Sequence, residues 1–249
     1  MGAVHLTVAD LDRSLRYYEQ QIGLLVQQRE NGTARLGAGG EDLLVLTEQP
    51  GARPADGYAG LFHFALLVPT REDLGRWLAH AASDRVPLSG LSDHFVSEAI
   101  YLRDPDHHGI EIYADRPREI WEGKVWEQMT TLPLDTDDLL RGIEPAAYEG
   151  MPGGTTMGHV HLCVTDVEAS VDFYRSLGFD LMAMYGDQAA FLSSEGYHHH
   201  IGANTWQSKG APYAPDDRAR LTGFTVLGAP EERELRDPSG IPLAFATAG

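Results

Sequence analysis

His5-Leu6-Thr7-Val8-Ala9-Asp10-Leu11 returns 156 residues later as His161-Leu162-Cys163-Val164-Thr165-Asp166-Val167, and the Ser14 and Tyr18 that follow the first copy recur as Ser170 and Tyr174. Similarity at a fixed offset marks a duplicated unit. Each copy opens as a strand of alternating character and passes into a helix. Asp10 is placed to cap that helix, and Leu11, Leu15, Tyr18 and Ile22 form its apolar stripe, which Gly23 ends. Asp166, Val167, Val171, Tyr174 and Gly178 repeat the plan.

A weaker echo lies inside the first half. GLFHFALLVPTREDLGRWLAHA, from Gly60 to Ala81, again reads as strand then helix, with Thr70 and Asp73 as a capping box and Leu74, Trp77, Leu78 and Ala81 as the buried stripe. Short strand candidates follow each helix: LLVQQRE, TARLGAG, DLLVLTE, EAIYLRD and GIEIYAD, punctuated by Gly, Asp and Pro. The repeating unit is βαβββ. Residues 116–156 lack such periodicity and read as a linker with a short helix over 136–141, whose Trp121 and Trp126 are expected to pack between the halves.

Composition bounds the function. A chain of 249 residues, 43% hydrophobic and 22% charged, has the makeup of a globular protein with a substantial core. The formal charge of −18 excludes a phosphate-binding surface of clustered Lys and Arg, so nucleic acid is not an expected partner. No apolar run is long enough for a membrane span, and the start MGAVHLTVAD has no signal-peptide pattern, so a cytoplasmic location is expected. The single cysteine, Cys163, reads as a packed small hydrophobe.

Alternation on the strands isolates three polar residues. His5 and Thr7 oppose Val4, Leu6 and Val8; His63 opposes Phe62, Phe64 and Leu66; Glu111 opposes Ile110 and Ile112. Two imidazoles and one carboxylate are the ligand set of a facial triad that leaves positions open at non-haem Fe(II). These three are the expected metal ligands.

The paired βαβββ units, with HLTVADLDRSLRYY (5–18) opening one, DPDHHGIEIYADRP (104–117) closing the next, and GHVHLCVTD (158–166) and GYHHHIGANTW (196–206) in the second half, resemble the vicinal oxygen chelate superfamily. Within it the likeness is to the two-domain extradiol ring-cleaving (catechol 2,3-type) dioxygenases. The resemblance implies an α+β fold in which paired modules curl into half-barrels, one holding the metal. It implies cleavage of a catechol-like aromatic with Fe(II), or Mn(II), and O2. It also implies that Tyr101 hydrogen-bonds the substrate oxygen and that His94 stands near the ring oxygens. The same superfamily hosts hydroquinone cleavage, isomerases, lyases and non-catalytic drug-sequestering proteins, which are the alternatives.

On this basis three regions are expected: a metal-binding domain of two modules over 1–115, a linker over 116–156, and a degenerate second domain over 157–249. In the degenerate copy Gly223 stands where His63 does and Pro242 where Glu111 does. Only 14 residues separate Gly223 from Asp237, against 41 between His63 and Asp104, so the last module is expected to lack its helix and a strand. That leaves the second half a structural or dimer-forming domain, and a homo-oligomer is expected. His198-His199-His200 with His161 offers a second metal site only weakly, since no carboxylate accompanies it, and a packing motif is the plainer reading. One feature of the extradiol pattern is missing: no histidine stands on the strand or loop shortly before His63, so either Thr47, Glu48 or another group serves as the acid–base group or the chemistry differs from ordinary catechol cleavage. His80, His107 and His108 are expected at the surface.

Overall fold

The computed structural model describes residues 1–143 and 148–247. The first module is β1 (Val4–Val8), α1 (Leu11–Tyr17, continued by a π-helical turn Tyr18–Ile22), β2 (Leu25–Glu30), β3 (Thr33–Gly37) and β4 (Asp42–Glu48), followed by the short β5 (Arg53–Pro54). The second is β6 (Gly60–Leu67), α2 (Arg71–Ser83), β7 (Gly90–Asp93), β8 (Ser97–Arg103) and β9 (Gly109–Asp115). The connection holds α3 (Arg118–Trp121), α4 (Val125–Gln128), β10 (Leu132–Pro133) and α5 (Thr136–Leu139). The third module is β11 (Thr156–Cys163), α6 (Val167–Ser176), β12 (Asp180–Tyr185), β13 (Ala189–Ser193) and β14 (Ile201–Asn204), followed by β15 (Arg218–Ala219). The last has three strands and no helix: β16 (Leu221–Leu227), β17 (Arg233–Arg236) and β18 (Pro242–Ala246).

The helices start where the sequence places their caps. The Asp10, Thr70 and Asp166 side chains accept from the backbone N–H three residues on, satisfying one of the orphan donors of a helix N-terminus. Each helix then buries its stripe against a sheet. On α2, Leu74, Trp77, Leu78 and Ala81 are buried, and the Trp77 indole donates to the Ile22 carbonyl at 3.1 Å. Burial of an aromatic this large contributes roughly 3 kcal/mol.

Which modules pair differs from the expectation. The strand order β17-β18-β16-β1-β4-β3-β2 joins the first module to the last, and β10-β7-β8-β9-β6-β11-β14-β13-β12 joins the second to the third. The division into a 1–115 metal domain and a 157–249 domain therefore does not match how the sheets form. Each half-barrel takes one module from either side of the linker. Opening strands associate antiparallel, β1 with β16 and β6 with β11, so that Val4 faces Phe224 and His161 faces His63 across the ladders. The linker is long enough to carry β11 back to β6, and the pairing is decided by edges that a period-two pattern leaves alike.

Of the linker tryptophans, Trp121 is buried with Val96, Val125, Ala183, Ala189 and Phe191, joining the second and third modules, whereas Trp126 is 61% exposed. His80 and His108 depart from the surface expectation. His80 stacks on Tyr148 at 4.2 Å between ring centres, and buried His108 meets the Thr7 carbonyl at 2.9 Å through Nε2. His107 is exposed beside Asp56. No helix of the described residues is long and apolar enough to cross a membrane.

Equivalent tyrosines on α1 and α6 bind equivalent aspartates in the closing turns: Tyr18 to Asp104 at 2.9 Å and Tyr174 to Asp237 at 3.4 Å. Burial raises the Asp237 carboxyl to about 6, against the opposing backbone donors of Ile241 and Ser239. A carboxyl whose pKa is higher folded than unfolded carries a full penalty above pH 6, which is relieved as pH falls toward 4. Asp237→Asn is accordingly expected to raise the melting temperature at pH 7 to 8, with the gain shrinking between pH 6 and 4. Thermal scans across that range check it, and a gain independent of pH contradicts the reading.

Candidate metal centre and its surroundings

Three strands bring His63, Glu111 and His159 together. β6 lies between β9 and β11, parallel to the first and antiparallel to the second. His63 Nε2 lies 2.9 Å and His159 Nε2 3.1 Å from the same Glu111 Oε2, and the two imidazole nitrogens are 3.4 Å apart. Among the described residues this is the group of His, Cys, Asp or Glu side chains whose donor atoms converge tightly enough to hold an ion. All three are buried. Gly109 sets the approach of β9 to β6: a Cβ there would lie 2.0 Å from the Phe62 carbonyl oxygen, so a larger residue would push the Glu111 strand away from His63.

His63 and Glu111 are the expected ligands, but His5 is not the third. It lies on β1 in the other sheet, paired with Gly223 and Val45, near Arg35 and Asp42. Burial and the Arg35 guanidinium lower its pKa. The ligand-type residue that joins the pair is His159, which the offset of 156 residues hides because it matches Ala3 and aligns His161 with His5. Distance from the helix cap reveals it. His63 stands seven residues before the Thr70 cap and His159 seven before the Asp166 cap, whereas His5 stands five before Asp10.

The donor set fits a divalent transition metal. Ligands at about 2.1 Å on adjacent positions of an octahedron lie about 3 Å apart, which is the spacing of these three atoms, and two imidazoles with one carboxylate form the facial triad. Burial alone would raise the Glu111 carboxyl, but the imidazoles of His159 and His63 hold it well below the usual carboxylate range, so it is a ready anionic ligand. His161, also buried, points Nε2 at no protein partner among the described residues, and burial followed by the neighbouring His63 lowers its pKa strongly, leaving it neutral.

A cavity of about 390 Å³ opens beside the cluster, lined by His63, Glu111, Tyr101, His94, His161 and His199 among others. Tyr101 sits directly opposite Glu111 on the β8–β9 ladder, so both face the cavity. His94 caps the β7–β8 turn, where Phe95 adopts a left-handed φ of 68° and Asp93 accepts its N–H. His94 Nδ1 meets the Thr130 carbonyl at 2.7 Å and Nε2 meets the Tyr101 hydroxyl at 2.7 Å. A carbonyl only accepts, so Nδ1 carries the proton and Nε2 receives the Tyr101 O–H. Burial and then the Glu111 charge raise the Tyr101 phenol well above its ordinary value, keeping it protonated. The two residues expected near the substrate oxygens thus form one hydrogen-bonded pair at the cavity wall.

The histidine missing before His63 has a counterpart in the third module. His199 lines the cavity, with its ring centre 4.1 Å from that of His159. Its Nδ1 lies 2.8 Å from His198 Nδ1, and His198 Nε2 lies 2.9 Å from Asp115 Oδ1. The carboxylate accepts from His198 Nε2, which leaves His198 Nδ1 bare to accept from His199 Nδ1. His199 Nε2 is then an unprotonated base. Burial, with the nearby His159 and His198, lowers the His199 pKa strongly and keeps it neutral. The triple histidine is therefore neither a separate metal site nor only packing.

A sequence profile of the Glyoxalase/Bleomycin resistance protein/Dioxygenase superfamily matches residues 1–112 and 156–231, and the chain belongs to that superfamily. A protein named catechol-2,3-dioxygenase from Bacillus subtilis (strain 168) is 41% identical over 244 residues, covering 94% of this chain and 84% of the relative. Two solved structures share the fold at low identity. A putative dioxygenase from Bacillus subtilis subsp. subtilis str. 168 has a TM-score of 0.64 at 15% identity, covering 99% of this chain and 85% of that one. Glyoxalase I from Zea mays has a TM-score of 0.61 at 18% identity, covering 98% and 91%.

Proposed function

We propose that the protein is an extradiol ring-cleaving dioxygenase that uses Fe(II), held by His63, Glu111 and His159, to open a catechol with O2. The observation that carries this reading is the convergence of a two-histidine, one-carboxylate donor set with a neutral base and a protonated phenol around one cavity. The 41% identical relative named catechol-2,3-dioxygenase supports the same reaction. When bound, the ion supplies a Lewis-acidic centre with open positions for the substrate oxygens and for dioxygen.

The protein's own groups manage protons around that centre. His199 Nε2 takes a hydroxyl proton from the entering catechol, and the Asp115 carboxylate behind His198 stabilises the positive charge that then forms on the imidazole pair. Tyr101, held at the cavity wall by His94, turns its single O–H from His94 Nε2 to a substrate oxygen as negative charge builds on it. The proton held at His199 is returned when the O–O bond breaks. Both atoms of O2 enter the product, the ring bond beside the two oxygens is broken, and the balance needs no further reductant. A sequestering protein has no use for such a proton relay, and this favours catalysis over the non-catalytic alternative.

The test is anaerobic loading with Fe(II), then oxygen uptake with a catechol, following the absorbance of the open-chain semialdehyde. One O2 consumed per ring opened is expected. Stoichiometric iron with no oxygen consumption across a catechol panel would remove the ring-cleavage reading and leave only the metal site. Loading with Mn(II) in parallel decides which ion supports turnover.

A further inference from the structure

The cavity wall beyond the metal ligands carries information about the substrate. A cavity of about 150 Å³ is enough for benzene, so a bare catechol fills only part of the 390 Å³ available. Phe62, Phe191, Tyr185, Trp206 and Met129 are among the residues that line it. Phe62 and Trp206 meet edge to face at 5.2 Å, and both pack on the neutral His161 ring, forming one aromatic panel. Trp206 lines the cavity and is 45% exposed, so part of its ring also meets solvent.

Charge on the wall points the same way. Glu111 and Arg103 are the charged side chains lining the cavity, and Arg103 is already neutralised: its Nη1 lies 2.9 Å from Asp56, which also contacts His107 at 2.8 Å. Arg103 shares a strand face with Tyr101, two residues along β8, so its guanidinium flanks the cavity yet is turned to the Asp56 loop. A carboxylate on the substrate ring would enter without a free cation among the described lining residues. It would also approach a molecule of formal charge −18, whose field repels anions at long range.

We propose that the site selects uncharged catechols bearing an apolar substituent and turns away carboxylated ones, with Phe62 and Trp206 gripping the substituent. The proposal rests on the ring-cleavage reading for its consequence in turnover but not for its binding preference. Its test compares 4-propylcatechol, catechol and 3,4-dihydroxybenzoate on the Fe(II)-loaded protein, by kcat/KM in air and by calorimetric binding under anaerobic conditions.

At least about 100-fold preference for 4-propylcatechol over 3,4-dihydroxybenzoate is expected in both measurements, the loss of a desolvated charge without a partner being worth several factors of ten. Trp206→Ala should reduce the advantage of 4-propylcatechol over catechol about tenfold, the order expected for a lost aromatic contact with a short alkyl chain. Asp56→Asn, which frees Arg103, should raise kcat/KM for the carboxylate. Comparable binding of 3,4-dihydroxybenzoate and 4-propylcatechol overturns the substrate assignment while leaving ring cleavage intact. Selective binding of 4-propylcatechol with no cleavage of any catechol upholds the assignment and removes the ring-cleavage reading instead.

Discussion

His159→Ala is expected to abolish stable metal retention, and His5→Ala to leave it unchanged. Removing one of three donors whose atoms lie 2.9 to 3.4 Å apart leaves His63 and Glu111 as a two-point site. Loss of even an outer partner of a metal ligand weakens binding about 10- to 100-fold, so loss of a ligand should exceed 100-fold. His5 lies in the other half-barrel, opposite Gly223, and its imidazole shares no contact with the cluster. Metal content after gel filtration, with circular dichroism to show that both variants fold, reads the difference. Stoichiometric metal in His159→Ala, or its loss in His5→Ala, would overturn the assignment of the centre.

That contrast also shows what the sequence could and could not reveal. The module plan was legible because it is local: strand alternation, Asp10, Thr70 and Asp166 at helix starts, and apolar stripes at helical spacing are each written within about twenty residues. His63 and Glu111 were legible for the same reason, as polar positions on strands of otherwise apolar face. The third ligand was not, because its choice depends on which opening strand lies beside β6, and β1 and β11 present nearly identical patterns to that edge. The repeat offset aligns His5 with His161, whereas His159 matches only Ala3 in the first copy. Counting back seven residues from each cap would have separated them.

The absent acid–base histidine has the same origin. A histidine just before His63 would serve the site only if the module preceding it in sequence were its partner in space. Because the partner is the third module, the corresponding side chain comes from the end of that module, at His199 before β14. What looked like a departure from the ring-cleaving pattern is a consequence of module pairing.

His199→Asn is therefore expected to lower kcat by about 100- to 10,000-fold, the range for removal of a positioned general acid–base group, while metal content and anaerobic substrate binding stay near those of the parent. The amide is close to the imidazole in size and can still donate to His198 Nδ1, but it offers no base to the cavity. His198→Phe separates orientation from chemistry. It leaves His199 in place and removes both the Nδ1 acceptor and the link to Asp115, so the imidazole loses its fixed tautomer and the carboxylate that supports its charged form. A fall in kcat of roughly tenfold, smaller than in His199→Asn and with KM little changed, is expected. If single-turnover measurements on the iron-loaded, substrate-saturated His199→Asn variant give the parent rate, proton transfer runs through another group, and the Tyr101–His94 pair is the one remaining in the cavity wall. The outcome turns on a physical difference between the two sides of the site: the Tyr101 hydroxyl is a raised, protonated phenol suited to donating, whereas His199 Nε2 is bare and suited to accepting. Loss of the acceptor should therefore act on the step that ionises the substrate, and loss of the donor on stabilising the charge that follows.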